Sequence, residues 1–534
     1  MTKGQVVAAD VAALLRARNP LLWIVTREEA RVERFLVEAA ASANYILRAW
    51  DCDQGVVEFQ GGGEKPVRTG NLQDPRDAMA WIKDRASSTQ ADRCALVMRD
   101  LPVWLAGPPG AVVLRALRNL ARFLPAMPRD RAQAIIVLTP SAEVPPELAG
   151  HATVVEWPLP DREEIAAIYD AQLEALPDEM RATASPNGTR DAAIDAAVGL
   201  NGTEVGACYA KSLVQSRRID VPVIVGEKKR VIARERVLEW FDPLPGGLDA
   251  VGGLDALKEW LKSRAMAYSP KAREYGLPSP KGALVGGLSG NGKSLTAKAV
   301  AAAWGVPLLR LDLGAVKSKF VGESEANLRR AFRTIEAIGR CVVWIDEIEK
   351  ALQGATSGAA DGGVSSDALG ALLSWMQERK SEAFVIATAN DVEALPAELL
   401  RKCRFDENWW VDLPTAVERS AIIKVSLKQY KRSAEGWQAQ ELQRLVAATE
   451  GFTGSEIAAL VPDAMFAAFA DGGRELAVGD LMRAAGTVVP LAKTAAKRIE
   501  ALREWAKGKM RPATSTMNVV ELRGRSGAAP ALDL

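Results

Sequence analysis

The chain repeats itself, and this internal repeat constrains its fold more than any other feature of the sequence. Residues 199–214 (GLNGTEVGACYAKSLV) resemble residues 451–466 (GFTGSEIAALVPDAMF). Three shorter segments of the first half match the second half at nearly the same offset, about 250 residues, which is typical of a tandem duplication. The sequence therefore predicts two copies of one module in the 534-residue chain.

Short apolar runs and helical patterns alternate in both halves. Runs with strand character cover 21–26, 45–50, 94–100 and 134–140, and their counterparts begin at Leu284, Leu308, Cys341 and Phe384. Such alternation predicts a mainly parallel sheet covered by helices. In each half the strands give way to a helical portion, which predicts a small lid. The predicted fold class is α/β, with tandem modules that each hold a parallel-sheet core followed by a helical lid.

Proline and glycine residues at 243–247 separate the two halves. We expect a first module at 1–216 that lacks a phosphate-binding loop, a linker at 217–250, a second core at 251–413, its helical lid at 414–490, and a C-terminal helix and tail at 491–534. The linker region holds the basic stretch 227–236 (EKKRVIARER). This stretch is either a solvated run of charges or a contact for nucleic acid.

Composition excludes several classes of function. The 68 basic and 67 acidic residues give a net charge of +1, so no overall field favours nucleic acid or anionic lipid. The five cysteines are far apart and the single histidine is His151, which argues against a zinc site and a histidine-based triad. The sequence shows neither the apolar core of a signal peptide nor an apolar run long enough to span a membrane. We expect a cytoplasmic protein, in the bacterial cytosol or, if the chain is organellar, in the plastid stroma.

A glycine-rich loop follows the first apolar strand of the second half. Residues 287–294 (GLSGNGKS) satisfy G-x-x-x-x-G-K-[ST] and open a helical pattern. Glycines let backbone N–H groups and the positive end of the helix dipole face phosphate oxygens. Lys293 supplies a charge to the β- and γ-phosphates, and Ser294 offers a hydroxyl to Mg²⁺. The expected nucleotide-binding residues of this loop are Gly287, Leu288, Ser289, Gly290, Asn291, Gly292, Lys293, Ser294 and Leu295.

Two acids and an amide follow other strands of the same half. The run CVVWIDE ends in Asp346, expected on the metal side, and Glu347, expected to activate water. The run FVIATAN places Asn390 at the tip of a further strand, where its amide could orient water near the γ-phosphate. Paired acids at a phosphate-binding loop suit phosphoryl transfer to water. The sequence therefore predicts an ATPase that uses ATP and Mg²⁺.

The first half lacks these chemical groups. After the run 21–26 the chain continues TREEARVERFL, with no glycine and no usable lysine. At the offset of the repeat, the counterparts of Asp346, Glu347 and Asn390 are Asp100, Leu101 and Thr139. We expect that the first module keeps the fold, has lost the chemistry, and serves packing, partner binding or ring geometry.

In order and spacing, several segments of 251–490 resemble the AAA family proper within the AAA+ ATPases. They are VGGLDALKEWL, the phosphate-binding loop, KFVGESEANLRRAF, WIDEIEK, ATAN, ELLRKCRFD and GFTGSEI. Within that family, YGLPSPKGALVGG and REWAKGKMRPA look most similar to the hypothetical chloroplast reading frame (ycf) proteins of plastids and bacteria. Those proteins also carry an amino-terminal half without a usable phosphate-binding loop.

The resemblance implies further nucleotide-binding positions. Val251, Gly252 and Gly253 resemble the segment that lines the adenine. Gly454 and Ser455 stand at the lid position where many AAA+ relatives outside this family use an arginine, and small residues there agree with AAA proper.

The resemblance also implies groups that act between subunits. Arg401 and Arg404 resemble arginine fingers that reach the γ-phosphate of a neighbouring subunit, with Cys403 where the motif usually has glycine. Phe320, between Lys319 and Val321, resembles the aromatic residue of a pore loop that grips a threaded polypeptide. The rival interpretations are that the two arginines are surface charges and that Phe320 packs under its loop.

These expectations describe a homo-oligomeric ring, a hexamer by resemblance, that hydrolyses ATP and remodels or threads a protein client. Nucleic acid is not an expected partner, because the chain is nearly neutral. Two alternatives stay open. One is a nucleotide-gated regulatory scaffold that threads nothing, and the other is a nucleic-acid-stimulated ATPase that uses the basic stretch.

Overall fold

The structure is a computed structural model that describes residues 1–60, 63–66, 72–186, 188–233, 237–314, 323–352, 364–401 and 404–515. The chain divides into two compact units, Met1–Lys228 and Lys229–Leu534. Both units are α/β, as the sequence predicted. The predicted pore residues Lys319, Phe320 and Val321, together with Cys403, lie outside the described residues.

The first unit begins with a helix and then alternates strands and helices. Its strands are β1 Leu21–Val25, β2 Ile46–Asp51, β3 Gly55–Gln60, β4 Gly63–Pro66, β5 Cys94–Arg99, β6 Gln133–Thr139 and β7 Thr153–Glu156. Its helices are α1 Lys3–Arg16, α2 Glu29–Ser42, α3 Pro75–Ser87, α4 Gly107–Phe123, α5 Arg162–Glu174, α6 Asp178–Ala184, α7 Thr189–Ala197 and α8 Gly202–Ser216. The helix α9 Val221–Ile232 spans the boundary between the units.

The first sheet has the order β4-β3-β2-β5-β6-β1-β7. Strands β2, β5, β6, β1 and β7 are parallel, whereas β3 and β4 add an antiparallel edge. Every residue of β1 is buried. Leu22 and Ile24 belong to the hydrophobic cluster on one side, and Leu21 and Trp23 to the cluster on the other. Burial on both faces explains why this strand reads as a continuous apolar run.

The second unit repeats this plan. Its strands are β8 Leu238–Phe241, β9 Gly282–Gly287, β10 Leu308–Leu311, β11 Val342–Ile345, β12 Phe384–Ala389, β13 Glu407–Val411 and β14 Arg511–Pro512. The helices of its core are α10 Asp255–Ala265, α11 Pro270–Glu274, α12 Lys293–Trp304, α13 Glu323–Ile338, α14 Ile348–Leu352 and α15 Val364–Glu378. The later helices are α16 Ala416–Gln429, α17 Ala439–Ala448, α18 Gly454–Ala470, α19 Val478–Thr487, α20 Leu491–Thr494 and α21 Ala496–Ala506.

The second sheet has the order β14-β13-β9-β12-β11-β10-β8. Only β8 runs antiparallel, against β10, among the pairs that the described residues form. The inner order β10-β11-β12-β9-β13 reproduces β2-β5-β6-β1-β7 strand for strand, counted along the chain. Two cores with one strand order, each followed by helices, match the duplication that the sequence repeat predicted.

The two lids also begin one of their helices in the same way. Asn201 caps α8 and Thr453 caps α18, each with its side chain accepting a hydrogen bond from a backbone N–H three residues later. In both cases that residue is a glutamate, Glu204 or Glu456, whose carboxylate reaches back to the cap. This capping box fixes the start of each helix. It is the physical basis of the repeated NGTE and TGSE segments.

Two strands of the second sheet come from segments without a clear strand pattern. The predicted linker 217–250 contains α9 and the edge strand β8. The C-terminal segment returns after α21 as β14, whose Arg511 pairs with Trp409. Ala513 then donates its N–H to the carbonyl oxygen of Trp410 at 2.9 Å and is buried. The segment after α21 therefore forms one edge of the second sheet.

Candidate nucleotide site

The phosphate-binding loop joins a buried strand to a helix. Strand β9 lies between β12 and β13, residues 288–292 form a turn, and α12 begins at Lys293. Gly287 and Gly290 have positive φ angles. A Cβ atom on Gly287 would lie 2.0 Å from the carbonyl oxygen of Val411, and one on Gly290 would lie 2.3 Å from Oγ of Ser455. Neither position accepts a side chain, so the loop needs glycine both for its backbone angles and for its close contacts.

Lys293 is folded into this loop. Its Nζ donates to the carbonyl oxygens of Gly287 at 2.9 Å and Leu288 at 2.7 Å, and the residue is 5% exposed. Burial lowers the pKa of Lys293 to about 8, against the opposing effect of nearby carboxylates. Both acceptors are neutral, so a phosphate would supply the missing negative charge. The loop therefore fits an anionic ligand.

Ser294 and Asp346 come together although 52 residues separate them. The hydroxyl of Ser294 donates to Oδ1 of Asp346 at 2.9 Å. Ser294 lies in the first turn of α12, which follows β9, and Asp346 follows β11, so both lie at the carboxyl ends of parallel strands that flank β12. Hydroxyl and carboxylate oxygens are donors that suit Mg²⁺ when phosphate oxygens and water complete its shell.

Glu347 follows Asp346 in the turn between β11 and α14. It has the left-handed backbone angle φ 47, which residues other than glycine rarely adopt. Its Oε1 accepts a hydrogen bond from Nδ2 of Asn390 at 2.8 Å, and its Oε2 accepts one from Nζ of Lys350 at 2.6 Å. The Glu347 carboxylate raises the pKa of the exposed Lys350. Asn390 therefore meets the predicted base directly.

A second acid, Glu349, accepts a hydrogen bond from the backbone of Asn390. The N–H of Asn390 donates to Oε1 of Glu349 at 3.0 Å, and Glu349 is 2% exposed. Burial raises the pKa of Glu349. Sequence reasoning missed Glu349 and Lys350, as well as Thr388, whose hydroxyl contacts both Asp346 and the backbone of Glu347. Their signal was position: each lies within three residues of a predicted site residue.

The lid reaches the phosphate-binding loop through the start of α18. Ser455 donates its N–H to the carbonyl oxygen of Gly290 at 2.8 Å, and Gly454 donates to Oδ1 of Asn291 at 2.9 Å. The structure thus brings both predicted lid residues to the loop. A change in the loop has a direct path to the lid.

The segment predicted to line the adenine is clamped against α16. A Cβ atom on Gly252 would lie 2.6 Å from Ile422, and one on Gly253 would lie 2.6 Å from Glu418. Oε1 of Glu418 accepts hydrogen bonds from the N–H of Leu254 at 2.9 Å and from the hydroxyl of Thr514 at 2.7 Å. Glu418 is a further residue that sequence reasoning missed. The segment therefore lies where the core meets its lid.

The remaining loop residues differ in exposure. Val251 and Leu288 are buried, as is Asn291, whereas Ser289 is exposed. Leu295 is half-buried and packs on the hydrophobic cluster under the loop.

Arg401 and Arg404 lie far from the loop within the same chain. They precede β13, which runs parallel to β9 with Glu407 opposite Ala283 and Val411 opposite Gly287. Asp406 donates its N–H to the carbonyl oxygen of Gly282, at the start of β9. At about 3.3 Å of rise per residue, the five steps to Gly287 cover about 17 Å. The two arginines therefore stand at the end of the sheet opposite the phosphate-binding loop.

In the first module, charged side chains occupy the place that corresponds to the phosphate-binding loop of the second module. Arg31 of α2 donates to Glu28 at 2.8 Å and to Glu164 of the lid helix α5 at 2.7 Å. Oε1 of Glu28 also accepts the N–H of Gly202, at the start of the lid helix α8. Burial raises the pKa of Glu28, and Arg31 opposes this effect. We call Glu28, Arg31 and Glu164 the Arg31 cluster.

The turn after β5 corrects the residue correspondence taken from the sequence offset. Asp100 has φ 50 and Glu347 has φ 47, and a helical segment begins directly after each. Asp100 therefore corresponds to Glu347, and Arg99 to Asp346, so the pairing of Asp100 with Asp346 is wrong by one residue. Arg99 pairs with Glu33 and Asp51. A cation stands where the second module has Asp346, the acid predicted to lie on the metal side.

The fold and the site define a nucleotide-hydrolysing P-loop protein. The family model of AAA (ATPase family associated with various cellular activities) matches residues 283–413, and that of the SpoVK-like AAA ATPase N-terminal domain matches residues 7–157. The chain belongs to the AAA ATPase family, and it is an ATPase. The predicted family is therefore confirmed.

Several relatives match nearly the whole chain, including the following two. An uncharacterized AAA domain-containing protein ycf46 from Guillardia theta is 35% identical over 95% of this chain and 96% of its own length. The ycf46 protein of Pyropia yezoensis is 33% identical over 95% of this chain and 99% of its own length. An ATP-dependent zinc metalloprotease FtsH from Syntrophobacter fumaroxidans is 31% identical over 49% of this chain and 39% of its own length. Among the described residues, no helix is both long and apolar enough to cross a membrane.

Proposed function

We propose that the chain works as a ring-shaped homo-oligomer, a hexamer, that uses ATP hydrolysis to remodel or thread a protein client in the cytosol or stroma. The observation that supports this proposal is the position of Arg401 and Arg404. They lie at the end of the sheet opposite their own phosphate-binding loop. Arginines that serve a γ-phosphate from that position must belong to another subunit, which a ring supplies.

The residues of the second module divide the work of hydrolysis. Lys293 leaves its two carbonyl acceptors and binds the β- and γ-phosphates. Ser294 and Asp346 would hold Mg²⁺, which would neutralise phosphate charge. Glu347 takes a proton from the attacking water, and Asn390 orients the Glu347 carboxylate that it already contacts. Arg401 and Arg404 of another subunit stabilise the charge on the transferred phosphate.

The lid responds to the nucleotide that the site binds. Gly454 and Ser455 bond to the phosphate-binding loop, and Gly252 and Gly253 pack against α16. Nucleotide binding between these contacts changes the position of the lid relative to the core of its own module. In the proposed ring, Phe320, which lies outside the described residues, grips the client.

The basic stretch 227–236 gives little support to nucleic-acid binding. Lys228 is buried and donates to the carbonyl oxygens of Ala196 and Val198. Lys229 pairs with Asp242. Cations already engaged within their own units are poor contacts for a phosphate backbone. The contacts of Lys228 and Lys229 therefore count against the nucleic-acid alternative.

Casein, a permanently unfolded polypeptide, provides a test. We expect casein to raise the ATPase rate, and Phe320→Ala to abolish this rise while it preserves assembly, melting temperature and basal rate. Phe466→Ala is the matched control, because Phe466 is 75% exposed on α18. Glu347→Gln should bind ATP, hydrolyse it slowly and retain casein on the ring.

Three results would change the proposal. Assembly and hydrolysis that are insensitive to Phe320 and casein would favour the nucleotide-gated scaffold. Stimulation by nucleic acid that disappears with salt would favour the nucleic-acid-dependent ATPase. Normal turnover of Glu347→Gln would refute the assignment of the base.

A further inference from the structure

One buried hydroxyl joins the two acids of the site. Thr388 lies on β12, two residues before Asn390, and is 1% exposed. Its Oγ1 donates to Oδ1 of Asp346 at 2.6 Å and accepts the N–H of Glu347 at 3.1 Å. A threonine hydroxyl has one donor and two acceptor sites, so both contacts can form at once. Thr388 thus touches each acid in a different way.

The contact with Glu347 concerns its backbone. Glu347 holds the left-handed angle φ 47, and its N–H points at the Thr388 hydroxyl. Without that acceptor, the turn would lose a hydrogen bond that holds an uncommon backbone conformation. Asn390 contacts Glu347 at the carboxylate instead. The base is therefore held at two points, by Thr388 at its backbone and by Asn390 at its side chain.

The contact with Asp346 concerns the carboxylate. Oδ1 accepts from both Ser294 and Thr388, at 2.9 and 2.6 Å. Among the residues that the structure describes, no hydrogen bond falls on Oδ2 of Asp346. Two donors on one oxygen fix the rotation of the carboxylate and leave the other oxygen for a metal or its water.

We propose that Thr388 is a positioning residue for ATP hydrolysis, which sets the backbone of Glu347 and the carboxylate plane of Asp346 through one hydroxyl. The proposal rests on the proposed roles of these two acids. Thr388 does not touch the substrate in this account. Its role predicts that the hydroxyl, rather than the volume of the side chain, determines the rate and the response to Mg²⁺.

Three substitutions in the full-length chain separate the hydroxyl from the volume. Thr388→Ser keeps the hydroxyl, Thr388→Ala removes it at nearly the same size as serine, and Thr388→Val removes it at the size of threonine. The control is Thr139→Val, at the end of the equivalent strand β6, because Thr139 is also buried and its hydroxyl accepts the N–H of Ser141. Basal ATPase rate is measured without any client.

We expect kcat to fall about 10- to 100-fold in Thr388→Ala and Thr388→Val, as for other groups that orient metal ligands. Thr388→Ser should stay within about twofold of the unchanged chain. The Mg²⁺ concentration needed for half of the nucleotide-induced rise in melting temperature should increase in the two variants without a hydroxyl. ADP affinity in EDTA should stay the same in all of them, since Thr388 is not assigned a contact with nucleotide.

Equal losses in Thr388→Ser and Thr388→Ala would overturn the proposal, because they would identify a packing role. Turnover of Thr388→Ala as high as that of Thr139→Val would also overturn it. If Thr388→Val does not fold, the serine and alanine pair still decides the question. A hydroxyl-dependent rate in a chain that casein does not stimulate would support the role of Thr388 and count against remodelling, so the two proposals fail separately.

Discussion

Replacing Arg31 by methionine should destabilise the lid of the first module. Arg31 makes four hydrogen bonds: two to Glu164 at 2.9 and 2.7 Å, one to Glu28 at 2.8 Å, and one to the carbonyl oxygen of Pro158 at 3.0 Å. The side chains of Arg31, Glu28 and Glu164 are 7, 5 and 11% exposed. Removing one partner of such a buried pair leaves an uncompensated charge and costs about 3 to 5 kcal/mol.

The pH dependence of this loss has a defined sign. Burial already raises the pKa of Glu28 in the folded chain, and loss of Arg31 removes the charge that opposes this effect. A carboxyl with a raised pKa in the folded state binds its proton more tightly folded than unfolded. The stability that this proton contributes is present below the unfolded pKa and is lost as the pH rises through the folded pKa. Arg31→Met should therefore be most unstable near neutral pH and should recover as the pH falls.

Hydrogen exchange followed by mass spectrometry measures this effect in the full-length chain. Peptides of α5 and α8 should exchange faster in Arg31→Met, while peptides of the second unit should not change. Arg162→Met is the matched control, because Arg162 also bridges two acids, Asp191 and Asp195, but is 53% exposed. An exposed pair should cost no more than about 1 kcal/mol.

A neutral version of the cluster completes the test. The triple variant Glu28→Gln, Arg31→Met and Glu164→Gln removes all three charges together. It should regain most of the protection, since a whole buried ion-pair network can often be replaced at little cost. Wild-type exchange in Arg31→Met, or equal exchange in the single and triple variants, would refute the argument.

Three further outcomes test the second module. ATP affinity should be steady at neutral pH and should fall above pH about 8, by up to about tenfold per pH unit, because Lys293 must be protonated to bind phosphate; isothermal titration across pH would show it. Mixing Lys293→Ala chains with Arg404→Ala chains should recover ATPase activity, and assembled mixtures without any gain would count against arginines acting in trans. Gly253→Ala should cost about 1 to 3 kcal/mol more in thermal unfolding than Gly276→Ala, since both have positive φ but only Gly253 faces a close atom, in Glu418.

The sequence predicted the parts of the fold that have strong local patterns. All eight apolar runs became strands, because strands buried on both faces are apolar throughout. Six of the described strands lie outside these runs, and they include β8 and β14. Strands β8 and β14 are short, and their positions depend on the neighbouring strand more than on their own residues. Strand β14, for example, pairs Arg511 and Pro512 with β13.

The residues of the site divide in the same way, into those predicted from local patterns and those that depend on distant contacts. The phosphate-binding loop, the two acids and Asn390 follow strand ends, and parallel strands bring such ends together. Thr388 lies two residues before the predicted Asn390, but its role, like that of Glu418, depends on contacts with residues 41 to 164 positions away. The correspondence of Asp100 with Glu347 depends on a backbone angle that residue identity does not reveal.

The Arg31 cluster has a consequence for how the two modules respond to the concentration of ATP. The carboxylate of Glu28 binds the start of a lid helix, which is where a helix favours an anion. This anion is part of the chain, so its effective concentration does not depend on any metabolite. A dissolved ligand, by contrast, leaves its site as its concentration falls below the dissociation constant. In the proposed site, ATP would leave the lid of the second module when ATP becomes scarce, while the lid of the first module keeps the Glu28 carboxylate.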